Sequence, residues 1–153
     1  MITWRSEREI AVNIEEVWEL FNDDQIQRIM PNVVEHVLLE KKPGMVGSNY
    51  KQSYKEGKRV ETYVVTVLEF EETETRKHQK WSFVLGKAFE IEFSFTLTKL
   101  DEGRTRFLYE GQNKGINFLG RVLMKLGEKS NNKVVQDFMD TVEREALKQN
   151  IRT

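Results

Sequence analysis

The sequence predicts an α+β fold in which a curved antiparallel sheet of six or seven strands wraps around a long C-terminal helix, with two short helices after the first strand. Between residues 33 and 114, apolar and polar residues alternate in runs separated by turn residues, as in short antiparallel strands. The period becomes helical at Asn13 and again after Gly115. A sheet with one apolar face needs a cover, and the last helix is the element long enough to supply it.

The first strand is expected over residues 2–12, which alternate polar and apolar side chains. Asn13 is a favourable N-cap for the helix that follows, because its side chain can accept a hydrogen bond from a first-turn amide. The apolar face of that helix carries Ile14, Val17, Trp18 and Phe21. We expect Asn22 or Asp23 to cap a second short helix, which must end before Pro31.

The segment after Pro31 predicts an antiparallel meander. The candidate strands are 33–41, 46–55, 59–70, 76–85, 88–100 and 104–113. The connections carry turn residues, at Pro43-Gly44, Glu56-Gly57, Gly86-Lys87 and Asp101-Glu102-Gly103. Because consecutive strands joined by such short turns pair with each other, the predicted sheet is antiparallel.

The strand at 88–100 has the clearest two-residue alternation. Its apolar positions are Phe89, Ile91, Phe93, Phe95 and Leu97. Its polar positions are Glu90, Glu92, Ser94, Thr96 and Thr98. Since successive side chains of a strand point to opposite faces, we expect one buried face and one exposed face.

The C-terminal helix is expected from Gly115 to about Lys148, with a kink or short break at 127–132. One apolar stripe comprises Leu119, Val122, Leu123 and Leu126. A second stripe, rotated around the helix, comprises Val134, Val135, Phe138, Val142 and Ala146. Glycine and asparagine between the two stripes lower the helix propensity and can recap a new segment, which is why the break is placed there.

Composition excludes several classes of function. The chain has 24 Lys plus Arg against 25 Asp plus Glu, so it lacks the excess positive charge that drives non-specific binding to nucleic acid. It has no cysteine, which excludes disulfides, thiolate nucleophiles and cysteine-bound clusters. Its two histidines, His36 and His78, are far apart in sequence, and we predict neither a metal site nor a cofactor.

We expect one domain over 1–153 in the cytoplasm. A chain of 153 residues has the length of a single compact domain. The N-terminus lacks the apolar run of a secretory signal, and no stretch approaches the ~18 apolar residues of a membrane span. We therefore expect no stable membrane insertion, and the oligomeric state stays open.

The concave side of the predicted sheet is the candidate ligand site. A curved sheet that grips a helix leaves internal space where its side chains do not fill the middle. The candidate ligand-binding residues are Tyr50, Tyr54, Trp81, Phe83, Phe89, Ile91, Phe93, Phe95, Phe107, Tyr109, Leu119 and Leu123. Taken singly, each aromatic residue is also compatible with simple core packing.

Two questions of orientation stay open at this stage. Tyr50, Gln52 and Tyr54 alternate onto one face of their strand, which points either inward, where they orient a ligand's oxygen atoms, or outward to solvent. One of Glu35 and His36 must face the apolar side of its strand, where it serves as a structural residue or as a general base. Neither has a nucleophile or metal partner evident in the sequence, and we assign no catalytic residue.

The stretch from Asn13 to Tyr50 resembles the opening of the SRPBCC superfamily. The residues that carry the resemblance are Asn-Ile-Glu-Glu-Val-Trp-Glu-Leu-Phe-Asn-Asp at 13–23, Met-Pro-Asn-Val at 30–33 and Pro-Gly-Met-Val-Gly-Ser at 43–48. This superfamily includes START lipid-transfer domains, pollen-allergen-like proteins and polyketide cyclase-like proteins. The resemblance implies a helix-grip fold with a cavity for a small hydrophobic or amphipathic molecule.

Three functions are compatible with these observations. The first is binding or carriage of a small hydrophobic or amphipathic ligand, such as a lipid, quinone, sterol or polyketide, without chemistry. The second is a polyketide cyclase- or dehydratase-like enzyme that uses the same cavity, with Tyr50, Tyr54, Tyr109 and His36 as candidate acid-base groups. The third is a protein-interaction module resembling heat-shock-protein ATPase activators, with an apolar patch at 116–126. The apolar patch also fits a movable lid.

Overall fold

The computed structural model describes residues 1–152, and it describes side chains at all of these positions except 118, 125, 126 and 150–152. The strands of this part are β1 (Ile2–Ile10), β2 (Val33–Glu40), β3 (Asn49–Glu56), β4 (Arg59–Glu72), β5 (Arg76–Leu85), β6 (Phe89–Asp101) and β7 (Arg104–Gly115). The helices are α1 (Ile14–Glu19), α2 (Ile26–Ile29), α3 (Phe118–Gly127) and α4 (Asn131–Arg152). The predicted α+β order is confirmed.

The strands form one sheet in the order β1-β7-β6-β5-β4-β3-β2, and every neighbouring pair is antiparallel. Strands β2 to β7 follow one another through short connections, as the turn residues predicted. Gly57 and Gly86 lie in two of these turns with φ of 60° and 59°, a conformation that side chains with a Cβ rarely adopt. Only β1 pairs out of chain order, at the edge beside β7.

The two short helices form as predicted, but the second cap differs. The Asn13 side chain accepts a hydrogen bond from the Glu15 amide at 2.9 Å and caps α1. The predicted cap of α2 by Asn22 or Asp23 is wrong, since the N-cap is Gln25 and its side chain makes no capping bond. Asp23 lies beside a strand instead, as described below.

The expectation of an exposed second face on β6 is wrong in the middle of the strand. Ser94 and Thr96 point to the convex side of the sheet, yet only 8% and 7% of their surface is exposed. His78 on β5 covers Thr96, with its Nδ1 atom 2.7 Å from the threonine hydroxyl. Small polar side chains in the middle of a wide sheet are covered by their longer neighbours, which alternation alone does not reveal.

The predicted break in the C-terminal helix is confirmed. A 3-10 turn at Glu128–Ser130 separates α3 from α4. Helix α4 lies across the concave face with Val135, Met139, Val142 and Ala146 buried against it. Arg8 on β1 fixes this position, because its guanidinium donates to Asp140 at 2.7 Å and to Gln136 at 3.1 Å. None of the described helices has the length and apolar character required to cross a membrane.

The middle of the space between sheet and helix is filled by side chains. Phe95 and Phe107 are fully buried, and Phe21, two residues after α1, packs on both, with ring centroids 4.9 and 6.0 Å away. Phe138 of α4 closes the same cluster, 5.7 Å from Phe95. The room for a ligand therefore lies beside this aromatic cluster and not within it.

Candidate binding cavity

One cavity opens on the concave side between α4 and the segment that joins α2 to β2. Its volume is about 340 Å³, within the range of small-molecule sites. The lining comprises Ile29, Met30, Pro31, Asn32, Val33, Gln52, Tyr54, Tyr63, Phe83, Phe93, Tyr109, Val134, Asp137, Phe138 and Thr141. Most of the wall is apolar or aromatic, and the polar groups come from the α2–β2 segment, from β3, β4 and β7, and from α4.

The rim of the cavity is held by side chains that join α2 to its neighbours. Arg28 donates to Glu145 at 3.1 Å and to Gln149 at 2.8 Å, which fixes α2 against α4. The Gln27 amide donates to the Val33 carbonyl at 2.9 Å and fixes the start of β2. The opening is thus framed by packed elements on both sides.

Four of the predicted ligand-binding residues line this cavity, namely Tyr54, Phe83, Phe93 and Tyr109. The remaining eight lie elsewhere. Trp81, Phe95 and Phe107 are core residues, and Phe89 and Ile91 are partly buried farther along β6. Tyr50 lines a separate cavity of about 340 Å³ beside α1, together with Asp23 and Trp18. Ligand contact by any of these residues stays a prediction.

Leu119 and Leu123 lie on the outside of α3, where 61% and 42% of their surface is exposed. The opposite side of this helix faces the body of the protein. A Cβ at Gly120 would stand 2.2 Å from the Ala88 carbonyl oxygen, so only glycine permits this approach. The two leucines therefore do not reach the cavity described above. A role of this apolar surface as a lid or as a contact for a partner protein stays a prediction.

Tyr63 and Phe138 are lining residues that the sequence analysis did not single out for ligand binding. Tyr63 pairs with Gln52 in the ladder between β3 and β4, so both side chains point to the concave face. The alternation of β4 indicates which side chains share a face with Tyr63. Only the register with β3 shows that this face is the concave one. Phe138 was predicted as part of an apolar helix stripe, a pattern that does not separate core positions from cavity walls.

The orientation of β3 is settled by burial. Tyr50 and Gln52 are buried on the concave face, and Tyr54 is partly buried at the cavity. Across the ladder to β2, Gln52 stands opposite His36. His36 is therefore the residue that points inward, with 2% of its side chain exposed, whereas Glu35 points outward and pairs with Lys51 at 3.2 Å.

A chain of polar groups crosses the interior from His36 to the cavity. The Nδ1 atom of His36 lies 2.9 Å from Oε1 of Gln52. The Gln52 amide nitrogen donates to the Tyr63 hydroxyl at 2.8 Å, and that tyrosine lines the cavity. On its other side, Nε2 of His36 lies 3.7 Å from the Asp23 carboxylate. We call Asp23, His36, Gln52 and Tyr63 the polar relay.

Aromatic stacking fixes the imidazole plane. The His36 ring stacks on Tyr50, with centroids 4.4 Å apart and planes 14° from parallel, and lies 5.7 Å from Trp81. The contact with His36 holds the pKa of Asp23 below its ordinary value, and a Tyr50 contact acts in the same direction. Asp23 is therefore ionised at neutral pH and presents a full negative charge to the imidazole.

The buried tyrosines are neutral hydrogen-bonding groups. Burial raises the pKa of the Tyr63 phenol, and burial also raises the pKa of Tyr109. Neither group ionises near neutral pH, so each is a neutral hydroxyl. The Tyr54 hydroxyl accepts a hydrogen bond from the Asn32 amide at 3.2 Å. The cavity thus combines apolar walls with oriented hydroxyls.

A second histidine lies on the convex face in a groove of about 530 Å³. His78 contacts Glu69 at 2.8 Å and Thr96 at 2.7 Å, and the hydrogen bond from His78 lowers the pKa of Glu69. Glu69, His78 and Thr96 are ordered like the acid, base and nucleophile of a catalytic triad. Such a triad also needs free backbone amides that stabilise an oxyanion, and the amides around Thr96 are used in the sheet ladder. The groove is lined largely by charged and polar side chains and is poorly suited to an apolar molecule.

An antiparallel sheet that curves around a C-terminal helix and leaves a cavity beside it defines the helix-grip class of proteins. Within this class, the chain belongs to the family described as polyketide cyclase/dehydrase and lipid transport, whose model matches residues 1–146. This confirms the resemblance to the SRPBCC superfamily. No curated protein matches the chain.

Solved structures share the fold at low sequence identity. The aromatase/cyclase Zhui from Streptomyces sp. R1128 is 13% identical with a TM-score of 0.70, covering 96% of this chain and 94% of that one. A conserved protein from Geobacillus kaustophilus is 14% identical with a TM-score of 0.68, covering 96% of both chains. Norcoclaurine synthase from Thalictrum flavum, in complex with dopamine and hydroxybenzaldehyde, is 10% identical with a TM-score of 0.62, covering 95% and 86%.

Proposed function

We propose that this protein binds a small, largely apolar molecule bearing at least one oxygen atom in the cavity between α4, the α2–β2 segment and the concave face of the sheet. The observation that supports the proposal most directly is the lining: aromatic walls from Phe83, Phe93 and Phe138, with the hydroxyls of Tyr54 and Tyr63 on one side. Apolar walls stabilise a ligand by burial, and a few placed polar groups orient it.

Ligands of this size and character occur in the proteins with the same fold. The family description names polyketide chemistry and lipid transport, and one structure of norcoclaurine synthase holds dopamine and hydroxybenzaldehyde, both oxygen-bearing aromatic molecules. A cavity of about 340 Å³ accommodates a compact aromatic molecule more readily than a long lipid chain. We therefore propose a small aromatic or polyketide-like ligand.

The proposal is tested by closing the cavity from its rim. Val134 lines the cavity from α4 but is largely exposed, so Val134→Trp fills the opening with little cost to the core. We expect the affinity for 2-naphthol, measured by isothermal titration calorimetry, to fall at least about tenfold. Leu147→Trp, an exposed position on the same helix outside the cavity, is the matched control and leaves the affinity unchanged. Equal affinity in both variants contradicts the assignment.

An enzymatic role is the second candidate, favoured by the link between a cavity hydroxyl and a buried histidine. Closing a ring in a poly-ketone joins a methylene carbon to a ketone carbon, and the methylene proton ends on the former ketone oxygen. That hydroxyl and a second proton of the same carbon then leave as water, so the reaction needs acid-base groups but no co-reactant. Tyr63 is positioned to donate a hydrogen bond to such an oxygen. Incubation with a linear aromatic triketone, followed by mass spectrometry, then shows loss of water that Tyr63→Phe abolishes and His78→Gln retains. A rate equal to that without protein excludes this activity for the triketone.

A further inference from the structure

We propose that His36, acting through Gln52, sets whether the Tyr63 hydroxyl donates or accepts a hydrogen bond toward the ligand, so that the cavity prefers a carbonyl when His36 is charged and a hydroxyl when it is neutral. The inference rests on the proposed function, because it takes the cavity as the binding site. It goes further by naming the group on the ligand that is recognised and the residues that control its recognition.

The charged form of the relay makes Tyr63 a donor toward the cavity. A protonated imidazole forms an ion pair with Asp23 through Nε2 at 3.7 Å, and it donates from Nδ1 to Oε1 of Gln52 at 2.9 Å. The Gln52 amide then donates to the tyrosine oxygen at 2.8 Å. Because that oxygen already accepts a bond, its own O–H is directed to a ligand acceptor such as a carbonyl.

The neutral form reverses the two hydrogen bonds of Gln52, while His36 and Tyr63 stay in place. The remaining proton stays on Nε2, facing the Asp23 carboxylate, so Nδ1 becomes an acceptor. A half-turn of the Gln52 carboxamide, which exchanges its oxygen and nitrogen, lets its NH2 group donate to Nδ1. The Gln52 oxygen then accepts the Tyr63 proton, and the tyrosine oxygen is left to accept from a ligand hydroxyl.

The other neutral tautomer is disfavoured by charge. A proton on Nδ1 leaves the Nε2 lone pair facing the ionised Asp23 carboxylate, which is repulsive. The titratable groups that face His36 in the described part of the chain are Asp23, from the α1–α2 connection, and Tyr50, from β3, while Lys41 acts on Asp23. The other neighbours, Trp81 and Gln52, do not titrate.

Burial makes the direction of the Tyr63 hydrogen bond consequential. Gln52 is 3% exposed and the bond to Tyr63 is buried, so water does not readily replace a mismatched partner. The neighbouring Tyr54 accepts from Asn32, outside the relay. Tyr63 is therefore the cavity hydroxyl whose polarity responds to the charge on His36.

The test uses two ring-matched probes that differ in one oxygen group, 2-naphthaldehyde as a pure acceptor and 2-naphthol as a donor. Their dissociation constants are measured by calorimetry from about pH 5.5 to pH 8, the range in which histidines change charge. We expect the ratio of the two affinities to shift by about fivefold or more toward the aldehyde at the acid end, the equivalent of one hydrogen bond of about 1 kcal/mol.

Three variants assign the effect. His36→Phe retains an aromatic ring against Tyr50 but has no ring nitrogen, and Tyr63→Phe lacks the hydroxyl, so both abolish the pH dependence of the ratio. His78→Gln removes the convex-face histidine, which lies outside the cavity, and retains the dependence. A ratio that is constant with pH in the native protein, or that still shifts in Tyr63→Phe, overturns the proposal.

Nitrogen-15 NMR of the His36 ring in the ligand-free protein gives a second, independent result. We expect the neutral ring to carry its proton on Nε2, and we expect the Gln52 side-chain amide resonances to change with pH in the native protein and in His78→Gln but not in His36→Phe. A neutral Nδ1–H tautomer overturns the relay whatever the probes do. Failure of both probes to bind the native protein counts against the proposed cavity instead. In that case the position of the proton on the neutral His36 ring still tests the polar relay.

Discussion

Asp23 shows how one side chain connects a loop to the sheet. It follows α1 in sequence, and its carboxylate reaches the buried imidazole of His36 on β2. The contact with His36 lowers the pKa of Asp23, with the Tyr50 hydroxyl and the positive charge of Lys41 acting in the same direction. The ionised carboxylate therefore stabilises the folded state, in which these partners surround it.

The acid side of the stability profile tests this contact. A carboxyl group whose pKa is lower in the folded than in the unfolded state contributes stability that is fully present above the unfolded value, about 3.9 for aspartate, and is lost as the pH falls through the folded value. We therefore expect Asp23→Asn to lose less stability than the native protein between about pH 5 and pH 3, measured by urea unfolding. Since Asp23 is partly exposed, solvent screening reduces the effect.

Asp24→Asn is the control for this experiment, because Asp24 is the exposed neighbouring carboxylate. It keeps the charge change of the test variant while leaving the contact with His36 intact. If the native protein and Asp23→Asn lose the same free energy of unfolding as the pH falls, the assigned contact is contradicted.

At the scale of elements, β6 shows that two residues on the same face can serve different purposes. Phe93 and Phe95 are two positions apart and both point to the concave side, where their rings are 5.2 Å apart. Phe95 is fully buried among Phe21, Phe107 and Phe138. Phe93 borders the cavity, so part of its surface faces open space.

This difference predicts unequal effects of truncation. Phe95→Ala removes a ring surrounded by protein and should reduce the free energy of unfolding by about 3 to 5 kcal/mol. Phe93→Ala enlarges an existing cavity, so we expect a loss below about 3 kcal/mol together with a change in 2-naphthol affinity. Urea unfolding of the two variants measures the first quantity and calorimetry the second. A loss as large for Phe93→Ala as for Phe95→Ala would mean that the cavity wall is ordinary core.

The strand and helix order of this chain follows from local patterns, and its side-chain contacts do not. Alternation predicted every strand of the meander, and the glycine-asparagine segment predicted the break before α4. The Asp23 contact was missed because the residue was interpreted as a helix cap, a role that ordinary local rules favour. Alternation does not decide which of the adjacent residues Glu35 and His36 points inward. The pairing of β2 with β3 decides it, because His36 stands opposite Gln52.

At the scale of the molecule, the placement of the cavity depends on how α4 is fixed. Arg8 holds the helix to β1 at one sheet edge, and Arg28 holds it to α2 through Glu145. Large side chains from α1, β6, β7 and α4 fill the centre between these two anchors. The space that remains lies at the rim near α2, where the wall is shared by residues from several elements.

The sequence by itself determined the order of elements, the antiparallel meander, the broken C-terminal helix and the resemblance to the SRPBCC superfamily, because each is encoded in short-range periodicity or a local run of residues. The tertiary structure alone decided which aromatic residues fill the core and which border the cavity. It alone placed the side chains of Asp23, His36, Gln52 and Tyr63 in contact one after another. Those relations depend on strand register and on the position of one helix, and both are set by contacts between residues far apart in the chain.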